Sequence, residues 1–341
     1  MKVLPMDLNE LSDDALLALR FCDLPLDLQH SEIQPLIHTL YEELKTRNIV
    51  IRPPCYFADE WFSPEGEPII AVPFYLGHPR LKRLEQKWMH EVEGGSADWA
   101  LKLLRHETGH AIMHAYCLER RSKTKTVFGK AQTYNPDAYT YRLYSKSYVR
   151  HLDDGYAQSH PDEDFAESFA VWLDPHSDWK TRYRNWPALK KLSYIDEVIQ
   201  SIAGKTPLRT QAHFPYACAK SKKRLKTHYQ QKHKLYQEDL PDFWDRDLQR
   251  LFVSKPDGPV GTRAYQFLQQ HQKSIVQSVC AWSPMPKYTA EKLLRDLLQR
   301  ARALNLYLRR PETETQLEIV AYLSVLISNM ALTGRYKGHS R

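Results

Sequence analysis

The sequence predicts a predominantly helical α+β protein with one small sheet, and three observations carry that prediction. Helical periodicity recurs along most of the 341 residues, strand-like runs are confined to residues 48–76, and the chain beyond Trp186 reads as helix after helix. Apolar residues at 42% and charged residues at 26% are values of an ordinary globular chain and exclude a disordered or collagen-like one.

Taken in order, residues 12–20 (SDDALLALR) and 31–47 (SEIQPLIHTLYEELKTR) carry apolar residues at helical spacing, the second opening at Ser31 as a capping serine. NIVIRPP, CYFADEWF and PIIAVPFYLG then read as short strands of a small antiparallel or mixed sheet, separated by proline and glycine. A charged helix at about 79–92 stops at Gly94-Gly95, and Ser96 caps a helix running to about Arg120. Residues 121–160 are first basic and then rich in tyrosine (Tyr134, Tyr139, Tyr141, Tyr144, Tyr148, Tyr156), and mostly irregular structure is expected there.

A second sharply bounded helix follows. Pro161 suits its first position, Asp162, Glu163 and Asp164 sit where the helix dipole favours negative charge, and Asp174-Pro175 ends it. Further helices are expected at about 187–203, 217–236, 241–253, 261–282, 288–308 and 312–332. The length allows two domains, with a boundary near 204–215: residues 1–204, and a basic, all-helical region over 205–341.

Charge follows the same division. Residues 205–341 hold 24 Lys and Arg against 11 Asp and Glu, whereas residues 1–204 hold 24 against 30, for a total of +7. Five scattered cysteines without a C-x-x-C pair argue against a disulfide framework or thiolate zinc ribbon and for reduced thiols in the cytoplasm. The N-terminal MKVLPMDLNE meets an acid before it builds an apolar export segment. The stretch Leu317–Leu332 is interrupted by Glu318, Ser324, Ser328 and Asn329, so it reads as a buried helix and no membrane span is expected.

The chemistry concentrates in Arg105-His106-Glu107-Thr108-Gly109-His110. Two histidines four apart on a helix project from one face at a separation that suits tetrahedral zinc, and the intervening glutamate can reach a water at the metal as general base. Gly109 costs about 1 kcal/mol against alanine in a helix, a cost consistent with close backbone approach. A catalytic zinc needs a third protein ligand. The metzincin pattern would demand Gly at Met113 and His at Tyr116, so that route is excluded. The helix over 160–174 supplies carboxylates instead: it is apolar nearly all round, yet Glu163 and Glu167 share one face.

Two buried carboxylates require cationic or metal partners. One can ligate zinc while the other accepts the N–H of a ligand histidine. Spacing alone does not assign the two roles, and ion pairs to Arg105, Arg142 or Arg150 are the structural alternative. His114 lies a turn beyond His110 but has drifted off the His106 face; His151, Asp153 and Asp154 read as loop polar residues.

The string H106-E-T-G-H110 followed by Y156-A-Q-S-H-P-D-E-D-F-A-E167-S-F-A-V-W-L resembles a bacterial zinc-binding metallopeptidase family of zincin type, and more distantly the lethal-factor-type zincin domains. The resemblance covers about residues 97–190. It implies a zincin-like fold, Glu163 as third ligand, Glu167 behind the ligand histidine, and Tyr156 as a tyrosine assisting the reacting centre. Many relatives begin with a cysteine-paired zinc ribbon that this chain lacks, so no second zinc is expected at its front. His160, just before the Glu163 helix, is an alternative ligand in place of a glutamate, as a third histidine is in SprT-like zincins, and a helix cap or a substrate contact is the other reading.

The function expected is therefore zinc-dependent hydrolysis of peptide bonds, with an extended peptide or protein pairing along the edge of PIIAVPFYLG. The basic run from Lys220 to Lys234, seven Lys or Arg in 15 residues, suits either packing on the acidic front or an acidic substrate. It also makes a nucleic-acid-associated protease the runner-up. A zinc-stabilised, non-catalytic interaction protein is a third possibility, against which the intact Glu107 speaks.

Overall fold

In the computed structural model, which describes residues 7–89, 92–130, 142, 145–236, 244–255, 261–283, 285 and 287–333, helices dominate and the strands form two short pairs. The chain divides into two compact units, Met1–His233 and Lys234–Arg341.

The first unit opens with α1 (Asp13–Ala18), where Ser12 Oγ accepts the Ala15 N–H. Helix α2 (Gln34–Thr46) starts later than expected, because Ser31 spends its hydroxyl on Leu28 O at 2.6 Å and Pro35 sits in the first turn instead. The strands β1 (Cys55–Ala58) and β2 (Ile70–Pro73) pair in parallel, Cys55 opposite Ile70 and Ala58 opposite Pro73. Phe62 lies against the other side of β2 in an antiparallel bridge to Ala71, which makes the sheet mixed. NIVIRPP forms no strand, and the chain after Pro73 turns into a short 3-10 helix, Phe74–Gly77.

Helix α3 (Pro79–Met89) leads to α4 (Ala97–Ala115), capped by Ser96 Oγ, which accepts the Trp99 N–H. Helix α4 ends before Arg120, since Cys117 takes a left-handed conformation (φ 51°) and residues 118–120 tighten into 3-10 geometry. Helix α5 (Ser122–Phe128) occupies part of the segment expected to be irregular, while Tyr134, Tyr139, Tyr141 and Tyr144 lie outside the described residues. Helix α6 (Pro161–Leu173) matches its expected bounds, and every residue from Asp164 to Leu173 is buried. The short α7 (Trp179–Arg182) and α8 (Ala188–Gln200) follow.

Helices α4 and α6 pack face to face, and Gly109 is what lets them. A Cβ at Gly109 would stand 2.7 Å from Ala166 Cα and 3.1 Å from Ala166 O, both backbone atoms that cannot swing aside.

Residues 205–233 belong with this first unit rather than with the helical tail. Leu208 and Arg209 both donate their N–H to Ala115 O at the end of α4, and Tyr116 Oη donates to Lys205 O. Residues 221–225 run antiparallel to 19–22, with Phe21 N–H donating to Lys223 O, Cys22 N–H to Ser221 O and Leu225 N–H to Leu19 O. Helix α9 (Leu225–Tyr236) then buries Leu225, His228 and Tyr229. Eight Lys and Arg and no acid fall in 205–233, so most of the positive charge expected in a separate basic domain sits on the first unit, where Lys223 pairs with Asp59 and Lys232 with Glu60 and Glu85.

The second unit gathers α10 (Asp245–Leu251), α11 (Ala264–Cys280), α12 (Lys287–Ala303) and α13 (Glu312–Thr333) around Leu248, Phe267, Leu268, Leu293, Leu297, Ile319 and Leu323. Two two-residue strands, β3 (Phe252–Val253) and β4 (Tyr307–Leu308), pair antiparallel at its edge. No helix among the described residues is long and apolar enough to cross a membrane.

Candidate metal centre

The facing surfaces of α4 and α6 bring three ligand-type atoms together. His106 Nε2 lies 2.9 Å from Glu163 Oε2, His110 Nε2 lies 3.1 Å from the same oxygen, and the two imidazole nitrogens are 3.2 Å apart. His106, His110 and Glu163 are also the group of potential ligands that clusters among the described residues.

Helical geometry explains the convergence. One turn separates the two histidines on α4, and Glu163 projects from the first turn of α6, which lies against them because Gly109 admits Ala166.

Glu167 stands one turn behind Glu163 and does different work. Its Oε1 accepts His106 Nδ1–H at 2.8 Å, and its Oε2 accepts the Leu152 N–H at 2.9 Å. That contact places the proton on Nδ1 and turns Nε2 toward Glu163 and His110.

The donor set fits zinc. A His2Glu set is one that zinc takes in catalytic sites, and arms of about 2.0–2.2 Å to a tetrahedral ion imply ligand separations of about 3.3–3.5 Å, close to the three distances seen. The carboxylates around His106 favour positive charge at this place, which is what a divalent cation would supply in exchange for the imidazole proton. Burial opposes a charged His106, but hydrogen bonds to Glu163 and Glu167 outweigh it and push the imidazole up to about 10. Burial likewise opposes an ionised Glu163, yet His106 and His110 hold its carboxyl well below the usual range.

Glu107 is buried beside these groups, and burial raises its carboxyl despite the neighbouring histidines. The Ser63 backbone N–H, just after Phe62, donates to this carboxylate and opposes the rise. Tyr156 sits with its ring centroid 5.5 Å from that of His106 and is 43% exposed. Burial of its hydroxyl and the nearby Glu163 and Glu107 raise the phenol further above its ordinary range, so it keeps its proton as a hydrogen-bond donor.

The other sequence candidates fall elsewhere. His160 caps α6, its Nδ1 accepting the Asp162 N–H, and is not part of the ligand cluster. His114 is buried and pushed down to about 4 by burial. His151 Nε2–H donates to Lys102 O at 3.0 Å; the side chains of Asp153 and Asp154 lie outside the described set.

None of the arginines weighed as partners for the carboxylates pairs with them among the described residues. Arg105 forms a bidentate pair with Glu43 and reaches Asp174 at 3.2 Å, Arg142 bonds Gln158 through its backbone, and Arg150 lies over Trp186.

Residues 100–199 match the model of a family described as putative zinc-binding metallo-peptidase. This metallopeptidase match runs from α4 through α8 and so contains both histidines and both glutamates of the centre. No curated protein and no solved structure matches the chain.

The structure corrects one expectation about how an extended peptide would pair with the small sheet. PIIAVPFYLG offers no open edge: Ile70 N–H donates to Pro54 O on one side, Ala71 N–H donates to Phe62 O on the other, and all of β2 is buried. A single bridge spans too few residues to show a period, so the sequence, which read CYFADEWF as one strand, did not show that Phe62 turns back to close the second side of β2.

Proposed function

We propose that the protein is a zinc-dependent peptidase that hydrolyses peptide bonds at the centre between α4 and α6. The observation that carries the reading is the convergence of His106 Nε2, His110 Nε2 and Glu163 Oε2 beside a buried Glu107. A non-catalytic zinc site has no use for a carboxylate in that position.

His106, His110 and Glu163 hold the ion, and Glu167 fixes the orientation and tautomer of His106. A zinc ion there supplies Lewis acidity, polarising a scissile carbonyl and making water nucleophilic near neutral pH. Glu107, its carboxyl raised by burial, accepts a proton from the attacking water and returns it to the leaving amine. Tyr156 Oη, protonated and partly exposed beside His106, donates a hydrogen bond to the oxygen on which negative charge develops.

Metal analysis of the purified protein, paired with cleavage of a diverse peptide mixture, tests this. About one zinc per chain is expected, with Glu107→Gln lowering the cleavage rate by about 10²–10⁴-fold while zinc stays bound. Undiminished cleavage by Glu107→Gln overturns its role as base, and cleavage by zinc-free protein overturns the metal reading.

A further inference from the structure

The antiparallel pairing of residues 19–22 with 221–225 places Arg20 directly opposite Arg224. The flanking bonds, Phe21 N–H to Lys223 O and Leu225 N–H to Leu19 O, make this a non-hydrogen-bonded pair, the kind in which facing side chains come closest. Like charges directly opposite are destabilising. Both arginines are exposed, and neither has an ion pair among the described residues.

Lys222 shares the face of Arg224, two residues along the extended segment, while Lys223 turns the other way to Asp59. Lys220 and Lys226 flank them, are also exposed, and likewise have no carboxylate partner among the described residues. The first unit thus pairs off Lys223, Lys232 and Arg209 with Asp59, Glu60, Glu85 and Glu119, yet gives no ion pair, among the described residues, to the other four cations within residues 220–226 or to Arg20, which stands opposite one of them. Tyr216, four residues before Lys220, is 73% exposed, and Phe62 meets its ring edge-on at 6.0 Å. Phe214 packs likewise on Tyr56, so the aromatic platform is built rather than loose.

We propose that Arg20, Lys220, Lys222, Arg224 and Lys226, with Tyr216 as a stacking ring, form a binding surface for single-stranded nucleic acid. A repeating phosphate backbone neutralises side chains two residues apart on a strand and relieves the Arg20–Arg224 repulsion, and an exposed aromatic ring four residues before Lys220 accepts a base without sequence preference. The surface is independent of the peptidase reading and contains none of its residues.

The test is fluorescence anisotropy of the full chain with a labelled 20-nucleotide oligothymidylate across a salt series, with polyglutamate as competitor. Neutralising about five phosphates predicts a slope of log K against log salt of about −3.5, reduced by about 1.4 in Lys222→Gln/Arg224→Gln. Tyr216→Ala weakens binding several-fold and leaves the slope unchanged. Arg224→Glu gives a readout that a merely structural role would not: it pairs with Arg20 and raises the melting temperature slightly while it weakens oligonucleotide binding. No binding at low salt, wild-type affinity in the double variant, displacement by polyglutamate as effective as by unlabelled oligonucleotide, or preference for duplex over single strand each overturns the proposal.

Discussion

The two units bury different things. Of the fifteen polar or charged residues buried among the described residues, fourteen lie in the first unit and one, Thr315, in the second. Around α11, α12 and α13 the interior is aliphatic and aromatic, whereas α4 and α6 carry Arg105, His106, Glu107, His114, Asp164 and Glu167 into the core. Burying such groups costs several kcal/mol each unless they are paired, and an interior built for stability alone would leave them out. The contrast teaches that the interior of the first unit rests on pairing charges as well as on apolar packing, whereas that of the second unit, among the described residues, rests on apolar packing.

The largest effects expected from this difference concern the two glutamates of α6. On the proposed reading Glu163→Ala removes a ligand and should abolish stoichiometric zinc binding, while Glu167→Ala, which removes the support of His106 Nδ1, should weaken it by about 10–100-fold. Zinc titration with a competing chelator reads both, and the reverse order would exchange their roles.

Next come substitutions that compare the two interiors directly. Arg105→Met leaves Glu43 and Asp174 without their cation and should cost the first unit about 3–5 kcal/mol. Leu297→Ala opens a cavity in an interior without charge and should cost the second unit about 2–5 kcal/mol. Both are read by denaturant unfolding. If Arg105→Met proved harmless, the buried charges of the first unit would be less interdependent than their geometry implies.

The smallest effect is a dependence on pH. His228 is buried between Phe21, Phe74 and Tyr229, its Nε2 has no hydrogen-bond partner among the described residues, and burial pushes it down to about 3. A folded pKa below the unfolded value near 6.5 means that the unfolded chain takes up the proton first. The stabilising contribution is thus full above pH 6.5 and is lost on acidification toward pH 3, at up to about 1.4 kcal/mol per pH unit. The first unit should therefore lose melting temperature between pH 6.5 and 4.5, and His228→Phe should flatten that decline. An equal decline in the variant would assign the effect to other groups.

Much of this was readable from residues alone where the signal was local. The bounds of α6 follow from Pro161, its acidic first turn and Asp174, and the start of α4 follows from Ser96. That a carboxylate of α6 should face His106 and His110 was legible, because a zinc read from H-E-x-x-H needs a third ligand and α6 is a buried helix carrying two glutamates; the choice of Glu163 over Glu167 came only with the family resemblance, since the two share a face. What escaped was non-local and short. The pairs Arg105–Glu43 and Lys232–Glu85 join residues 62 and 147 positions apart, and the bridges at Phe62 and Arg20 span too few residues to show a period. The same reason hid the true extent of the first unit: α9 has a readable helical pattern, but nothing within it says that it packs against Phe21 and Phe74.

The strand pair between 19–22 and 221–225 also sets a timetable for synthesis. The ribosome finishes Glu167, and with it the full set of residues at the centre, 58 residues before it reaches Leu225. At about 5–20 residues per second, that interval is about 3–12 s. For those seconds the nascent chain holds every group of the centre without the segment that fastens its beginning to its end. Closure of the unit is thus a late event, made by the basic stretch that follows α4 and α6 rather than by those helices themselves.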